Sequence, residues 1–143
     1  MCIRDRYYNL ETSGKKALVI GRSRLVGMPQ VIMFGSKGID CTVTLAHSRT
    51  KNLDDLISES EIVVPAIGVP GIINSKNVKK GAILLDVGIS SDDKGIHGDV
   101  DFDSVDGIAK AVTPMPGGTG PMTVACLLEN TMKAAELQGI ISN

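Results

Sequence analysis

The sequence predicts an α/β domain, a doubly wound parallel sheet with helices on both faces. Three observations predict it. Four short apolar runs, 16–21, 41–46, 62–67 and 83–87, have the length and composition of buried strands. The segments joining the first three are too long for hairpins and carry helical spacing. Glycine is frequent, with 16 residues, and many lie between the apolar runs, where α/β loops need them.

The elements follow in order. Lys16 to Gly21 is the first strand, closed by its glycine. Val26 to Lys37 reads as a helix, with Pro29 in its first turn, Val31, Ile32 and Phe34 on the buried side, and Gly38 as its stop. Cys41 to Ala46 is the second strand, rich in β-branched residues. Leu53 to Ser58 is a short helix with Asn52 placed to cap it. Ile62 to Ile67 is the third strand, and Pro65 within it suggests a strand end or an irregular position. Ile83 to Val87 is the fourth. From Asp99 to Ala109 the chain is polar, with Val105, Ile108 and Val112 able to pack. A loop rich in glycine and proline runs from Thr113 to Gly120. The last helix starts at Pro121 or Met122, repeats Val124, Leu127, Leu128, Thr131 and Ala135 at helical spacing, and ends at Gly139. The whole is Rossmann-like, with ligands expected beyond the carboxyl ends of the strands. Residues 1–13 show no stable periodicity and read as a linker or a remnant, leaving 14–143 as the domain.

Composition narrows the function classes. The 143 residues carry a net charge of −1, no Trp, and only Tyr7 and Tyr8 as tyrosines. No basic stripe or aromatic platform marks a nucleic-acid partner. No apolar run is long enough to span a membrane, and no secretory leader pattern opens the chain. Cys2, Cys41 and Cys126 lack metal-ligand spacing, and Cys41 and Cys126 read as small buried hydrophobes. A reducing, cytoplasmic setting fits.

The first loop, Gly21-Arg-Ser-Arg-Leu-Val-Gly27, has glycines only at its ends. Gly21 permits a tight turn and Gly27 a close helix, while Ser23 stands where a dinucleotide fingerprint has its second glycine. It reads as a phosphate-binding loop whose helix N-terminus offers free N–H groups, or as an ordinary turn with solvated arginines. The second strand ends in His47-Ser-Arg-Thr50 with no carboxylate for the ribose hydroxyls of NAD. Arg22, Ser48, Arg49 and Thr50 instead suit a 2′-phosphate, favouring NADP. Arg49 also reads as a solvated residue, Ser48 as a turn cap, and His47 as a side chain satisfying a backbone carbonyl. Ala66 to Pro70 and Asp86 to Ile89 lie at the same end of the sheet. Asp86 suits either catalysis or bonds to loop N–H groups, and Asp99 and Asp101 read as turn or cap residues.

Taken together, these pieces resemble the cofactor-binding part of the bifunctional methylenetetrahydrofolate dehydrogenase/methenyltetrahydrofolate cyclohydrolase family. The resemblance rests on Gly14-Lys-Lys, Gly21-Arg-Ser with Val26-Gly and Pro29, and Thr42-Val-Thr with His47 to Thr50. It continues through Ala66, Gly68 and Pro70, Asp86 to Ile89, Gly98 to Phe102, Thr113 to Thr123, and Asn130-Thr131. It implies that Gly21, Arg22 and Ser23 line the cofactor phosphates, and that Arg22 and Ser48, with Arg49 beside them, hold the 2′-phosphate of NADP. It places Gly68, Ile89 and Thr123 at the cofactor. Pro114, Pro116, Gly117, Gly118 and Gly120 then border the cleft between cofactor and folate. The implied activities are hydride transfer from methylenetetrahydrofolate to NADP and hydrolysis to 10-formyltetrahydrofolate, with tetrahydrofolate derivatives and a second copy of the chain as partners. Met28 departs from a frequent basic residue, and Met115 and Thr119 from valines. The family's folate-binding part, with its key lysine and tyrosine, has no counterpart here, since Lys15, Lys16, Tyr7 and Tyr8 do not match it. No catalytic residue is therefore assigned, and the chain alone is expected to bind NADP without turnover. A non-catalytic nucleotide-binding or dimerisation module is the alternative.

Overall fold

A computed structural model describes residues 10–93 and 95–140. Five strands form one parallel sheet: β1 (Lys16–Ile20), β2 (Thr42–Ala46), β3 (Ile62–Pro65), β4 (Ile83–Leu84) and β7 (Ala111–Val112), in the order β2-β1-β3-β4-β7. A two-stranded antiparallel hairpin, β5 (Ser90–Asp92) and β6 (Gly95–His97), lies outside it. The helices are α1 (Gly27–Gly35), α2 (Leu53–Glu59), α3 (Phe102–Val105) and α4 (Thr119–Leu137).

Strand side chains alternate between two faces, and each face has its own core. Leu18, Ile20, Val63 and Leu84 pack with Ile57 of α2 and Val105 of α3. Ala17, Val19, Ile62, Val64 and Ile83 pack with Phe34 of α1. Helices therefore cover both faces, as the apolar runs predict. β3 is buried along its whole length, and Pro65 is its final residue, where a missing N–H costs least. The chain runs from β1 outward to β2, then crosses back over β1 to β3. Ligands of open α/β sheets bind beyond the carboxyl ends of the strands at such a reversal.

Several expectations are corrected. Ile32 is 66% exposed, because it lies about 160° around the helix from Phe34 at 3.6 residues per turn. α1 stops at Gly35, before Gly38, and the Ser36 hydroxyl donates to the Ile32 carbonyl. Asn52 sits at the start of α2 in a left-handed conformation and makes no capping bond. Cys41 and Cys126 are half-buried rather than buried, and the Cys41 thiol donates to the Thr12 carbonyl. The largest correction concerns α4. It begins two residues early, at Thr119, and none of its residues is buried, although its apolar spacing is that of a core helix. Val124, Leu127, Leu128 and Met132 are all more than half exposed, so the apolar face of this helix finds no core among the described residues. Cys2 and most of the 1–13 segment lie outside the described residues.

The fold makes a direct stability prediction. Leu18→Ala lowers the unfolding free energy of this chain by about 2–5 kcal/mol, while Ile32→Ala changes it by no more than about 0.5 kcal/mol. Urea titration of both variants checks this, and equal losses would contradict the assignment of faces.

Candidate functional site

The carboxyl edge of the sheet gathers five loops, one after each parallel strand. After β1, Gly21 adopts φ +120°, and a Cβ there would come within 2.6 Å of the Ala66 carbonyl oxygen. Its N–H donates to the Ala46 carbonyl, which ties the β1 and β2 ends together. A Cβ on Gly27 would overlap the Gly21 carbonyl, so helix α1 starts pressed against the loop. Both end glycines are thus needed for close approach.

Ser23 has a role that spacing alone does not show. Its hydroxyl oxygen accepts from the N–H groups of Val26 (3.1 Å) and Gly27 (3.3 Å). Two donors read as free for a phosphate are therefore already bonded. The Ser23 hydroxyl proton remains to donate outward, and Arg22 beside it is exposed.

After β2, the chain closes a tight turn. The His47 N–H donates to the Thr50 hydroxyl oxygen (2.9 Å) and the Thr50 N–H to the His47 carbonyl (2.8 Å). His47 Nδ1 accepts from the Arg49 N–H, so His47 satisfies an N–H rather than a carbonyl. Thr50 is occupied by this turn, whereas the side chains of Ser48 and Arg49 stand exposed at its tip. No carboxylate shares the turn.

After β3 and β4, two buried carboxylates organise the edge. Asp86 is 2% exposed. It accepts from the N–H groups of Gly88 (3.0 Å), Asp99 (3.0 Å) and Val100 (2.9 Å). The alternative of bonding loop N–H groups is therefore the one realised, and a carboxylate so engaged is poorly placed to act as a base. Its backbone N–H donates to the Thr113 hydroxyl (2.8 Å), and its carbonyl accepts from the Thr119 hydroxyl (3.3 Å). Asp101 caps α3 by accepting from the Ser104 N–H. Asp99 is not a local turn residue. It is fully buried and accepts from Ile67 and Gly68, more than 30 residues away. No spacing in the sequence signals that pairing, because it is made only when β3 and the 98–100 turn meet.

The remaining predicted residues spread along one rim. Ile89 is 68% exposed, one residue past the buried Gly88. Pro114, Pro116, Gly117 and Gly120 are exposed, with a cis bond between Met115 and Pro116. Gly118 is buried, and a Cβ there would overlap the Pro114 carbonyl. Thr123 donates to the Thr119 carbonyl and lines a cavity of about 440 Å³ with Leu25, Val87, Met122 and Cys126. Neither Gly21 to Ser23 nor Ser48 and Arg49 lines it, so the predicted residues occupy an open edge rather than one enclosed pocket.

Comparison with known proteins places this edge in a family. The profile described as "Tetrahydrofolate dehydrogenase/cyclohydrolase, NAD(P)-binding domain" matches residues 3–139, beginning inside the segment read as a linker. The "Bifunctional protein FolD" of Lactococcus lactis subsp. cremoris is 53% identical over 133 residues, 91% of this chain and 45% of that protein. The crystal structure of the FolD methylenetetrahydrofolate dehydrogenase/cyclohydrolase from Campylobacter jejuni is similar with a TM-score of 0.91 at 38% identity, over 96% of this chain and 48% of that one. A Trypanosoma brucei methylenetetrahydrofolate dehydrogenase-cyclohydrolase, "complexed with NADP cofactor and inhibitor", matches with a TM-score of 0.87 at 35% identity, over 99% of this chain and 50% of that one. The chain spans about half the length of the relatives it matches.

The Asp86 carboxyl titrates above its ordinary value of 3.8. Burial raises it most, the three N–H bonds oppose this, and the nearby Asp99 charge adds to the rise. Between 3.8 and the raised value only the folded chain holds the proton. Its contribution to stability is therefore complete below 3.8 and is lost as pH rises through the raised value. Asp86→Asn removes that slope. Stability measured against pH for wild type and variant should converge or cross over this window, and parallel curves would contradict the assignment.

Proposed function

We propose a function from one premise: the chain belongs to the tetrahydrofolate dehydrogenase/cyclohydrolase NAD(P)-binding domain family. Its carboxyl edge binds NADP in preference to NAD. The observation that carries this is the β2 turn, whose tip offers Ser48 and Arg49 and no carboxylate. A ribose 2′-phosphate needs such donors, and a carboxylate there would repel it. A related trypanosomal structure named as an NADP complex supports the same reading.

The residues present fit the group. The close packing of Gly21 and Gly27 sets a tight loop at the β1 end, where the exposed Arg22 and the Ser23 hydroxyl hold the phosphates. Arg22, Ser48 and Arg49 hold the 2′-phosphate. Gly68, Ile89 and Thr123 lie toward the nicotinamide, and Pro114, Pro116, Gly117, Gly118 and Gly120 border the folate side. When bound, NADP supplies the acceptor for a hydride from methylenetetrahydrofolate. What this chain contributes is binding and orientation, which account for much of the barrier in a two-reactant step. The remaining length of the relatives supplies the folate pocket and the acid–base groups for dehydrogenation and for hydrolysis to 10-formyltetrahydrofolate, a one-carbon donor for purine synthesis. The protein works as a cytoplasmic homodimer. Among the described residues no helix is long and apolar enough to cross a membrane.

Calorimetry with the two cofactors side by side tests the reading. NADP is expected to bind this chain more tightly than NAD. Ser48→Ala and Arg49→Ala should each weaken NADP by about tenfold, as loss of a charged hydrogen bond implies, and leave NAD nearly unchanged, whereas Arg22→Ala should weaken both cofactors. Comparable affinities for NAD and NADP would sink the preference. Turnover of methylenetetrahydrofolate by this chain alone would overturn the division of labour.

A further inference from the structure

Asp99 combines features that a simple turn residue does not need. Its side chain is fully buried, yet only one of its oxygens is used. Oδ2 accepts from the N–H groups of Ile67 (2.8 Å) and Gly68 (3.1 Å), which fixes both peptide planes just past β3. Oδ1 is buried and has no partner. A bare buried carboxylate oxygen costs stability and brings no bond in return, so its place in the fold calls for another reason.

That reason lies in which loops it touches. The Asp99 carboxylate occupies the space that a Cβ on Gly88 would fill, so it also abuts the loop after β4, one residue before Ile89. The two loops meet each other as well, since a Cβ on Gly68 would lie 3.4 Å from the Ile89 carbonyl oxygen. Both follow strands that lie across β1 from β2. The β2 side holds the 2′-phosphate donors, so these loops serve the opposite end of an extended dinucleotide. Asp99 is held in turn by Asp86, which bonds the N–H groups of Asp99 and Val100.

We propose that Asp99 is a positioning residue for the nicotinamide half of the cofactor site, acting through the Ile67–Gly68 backbone and the Gly88–Ile89 loop. This rests on the NADP reading above. Asp99 does not touch the cofactor. Its charge sets two loops that do.

The test uses this 143-residue chain and two probes. NADP spans the whole site, while adenosine 2′,5′-bisphosphate carries the 2′-phosphate half and no nicotinamide. Affinities are measured by calorimetry for wild type, Asp99→Ala and Asp99→Asn, with thermal unfolding as a check. Asp99→Ala should weaken NADP by about tenfold and the bisphosphate by less than about twofold, since two N–H groups lose their charged acceptor on one side only. Asp99→Asn keeps an acceptor and should recover most of the loss while remaining selective. If Asp99→Ala does not fold, the selectivity of the Asp99→Asn loss decides. Equal weakening of both probes, or of neither, overturns the proposal. Wild-type chain that binds neither probe overturns the NADP reading instead, which separates the two failures.

Discussion

Asp86 follows the buried end of β4, and its carboxylate can be accommodated there only by turning to the backbone. Three N–H groups meet it, from Gly88, Asp99 and Val100. In a low-dielectric interior such bonds are strong, and losing them would leave both the charge and the donors stranded. The 98–100 turn is thereby drawn under the sheet edge, which brings Asp99 within reach of β3. The Asp86 main chain then receives Thr113 and Thr119. Loops that lie far apart in the chain are joined through one acidic residue, and Gly88 and Gly98 are glycines because the two carboxylates fill the space of their side chains.

Much of the architecture is legible from local pattern. The four apolar runs become β1 to β4, and the crossover lengths imply their parallel pairing. What is not legible has a physical cause. β7 is two residues long and the β5–β6 hairpin strands three each, too short for any periodicity to register. These elements exist through pairing, as Ala111 and Val112 do against Ile83 and Leu84. The last helix shows the opposite error. Its apolar spacing is real, but spacing reports that a face wants burial, not that this fold provides it.

The site divides the same way. The exposure of the Ser48–Arg49 turn can be read from the sequence, because a short polar stretch past a strand end reaches solvent, and its missing carboxylate is an absence at one known place. Gly21 and Gly27 can be read because tight loops select glycine. Ser23 cannot be read fully, since whether a hydroxyl faces a ligand or closes its own helix depends on backbone path. Asp99 cannot be read at all from its neighbours, as its partners arrive from β3.

Helix α4 has one further consequence. Its 19 residues include none that is buried, and its first turn is tied to the sheet edge by the Thr119 hydroxyl. A helix of that length gains little from its own backbone in water and draws most of its order from packing. Its amide protons should therefore exchange through local fraying, at rates set by helix–coil equilibrium, while those of β1 and β3 wait for the whole domain to open. A cooperative unit ending near Thr119 is what this burial pattern implies, with the segment beyond it reporting its own surroundings rather than the stability of the sheet.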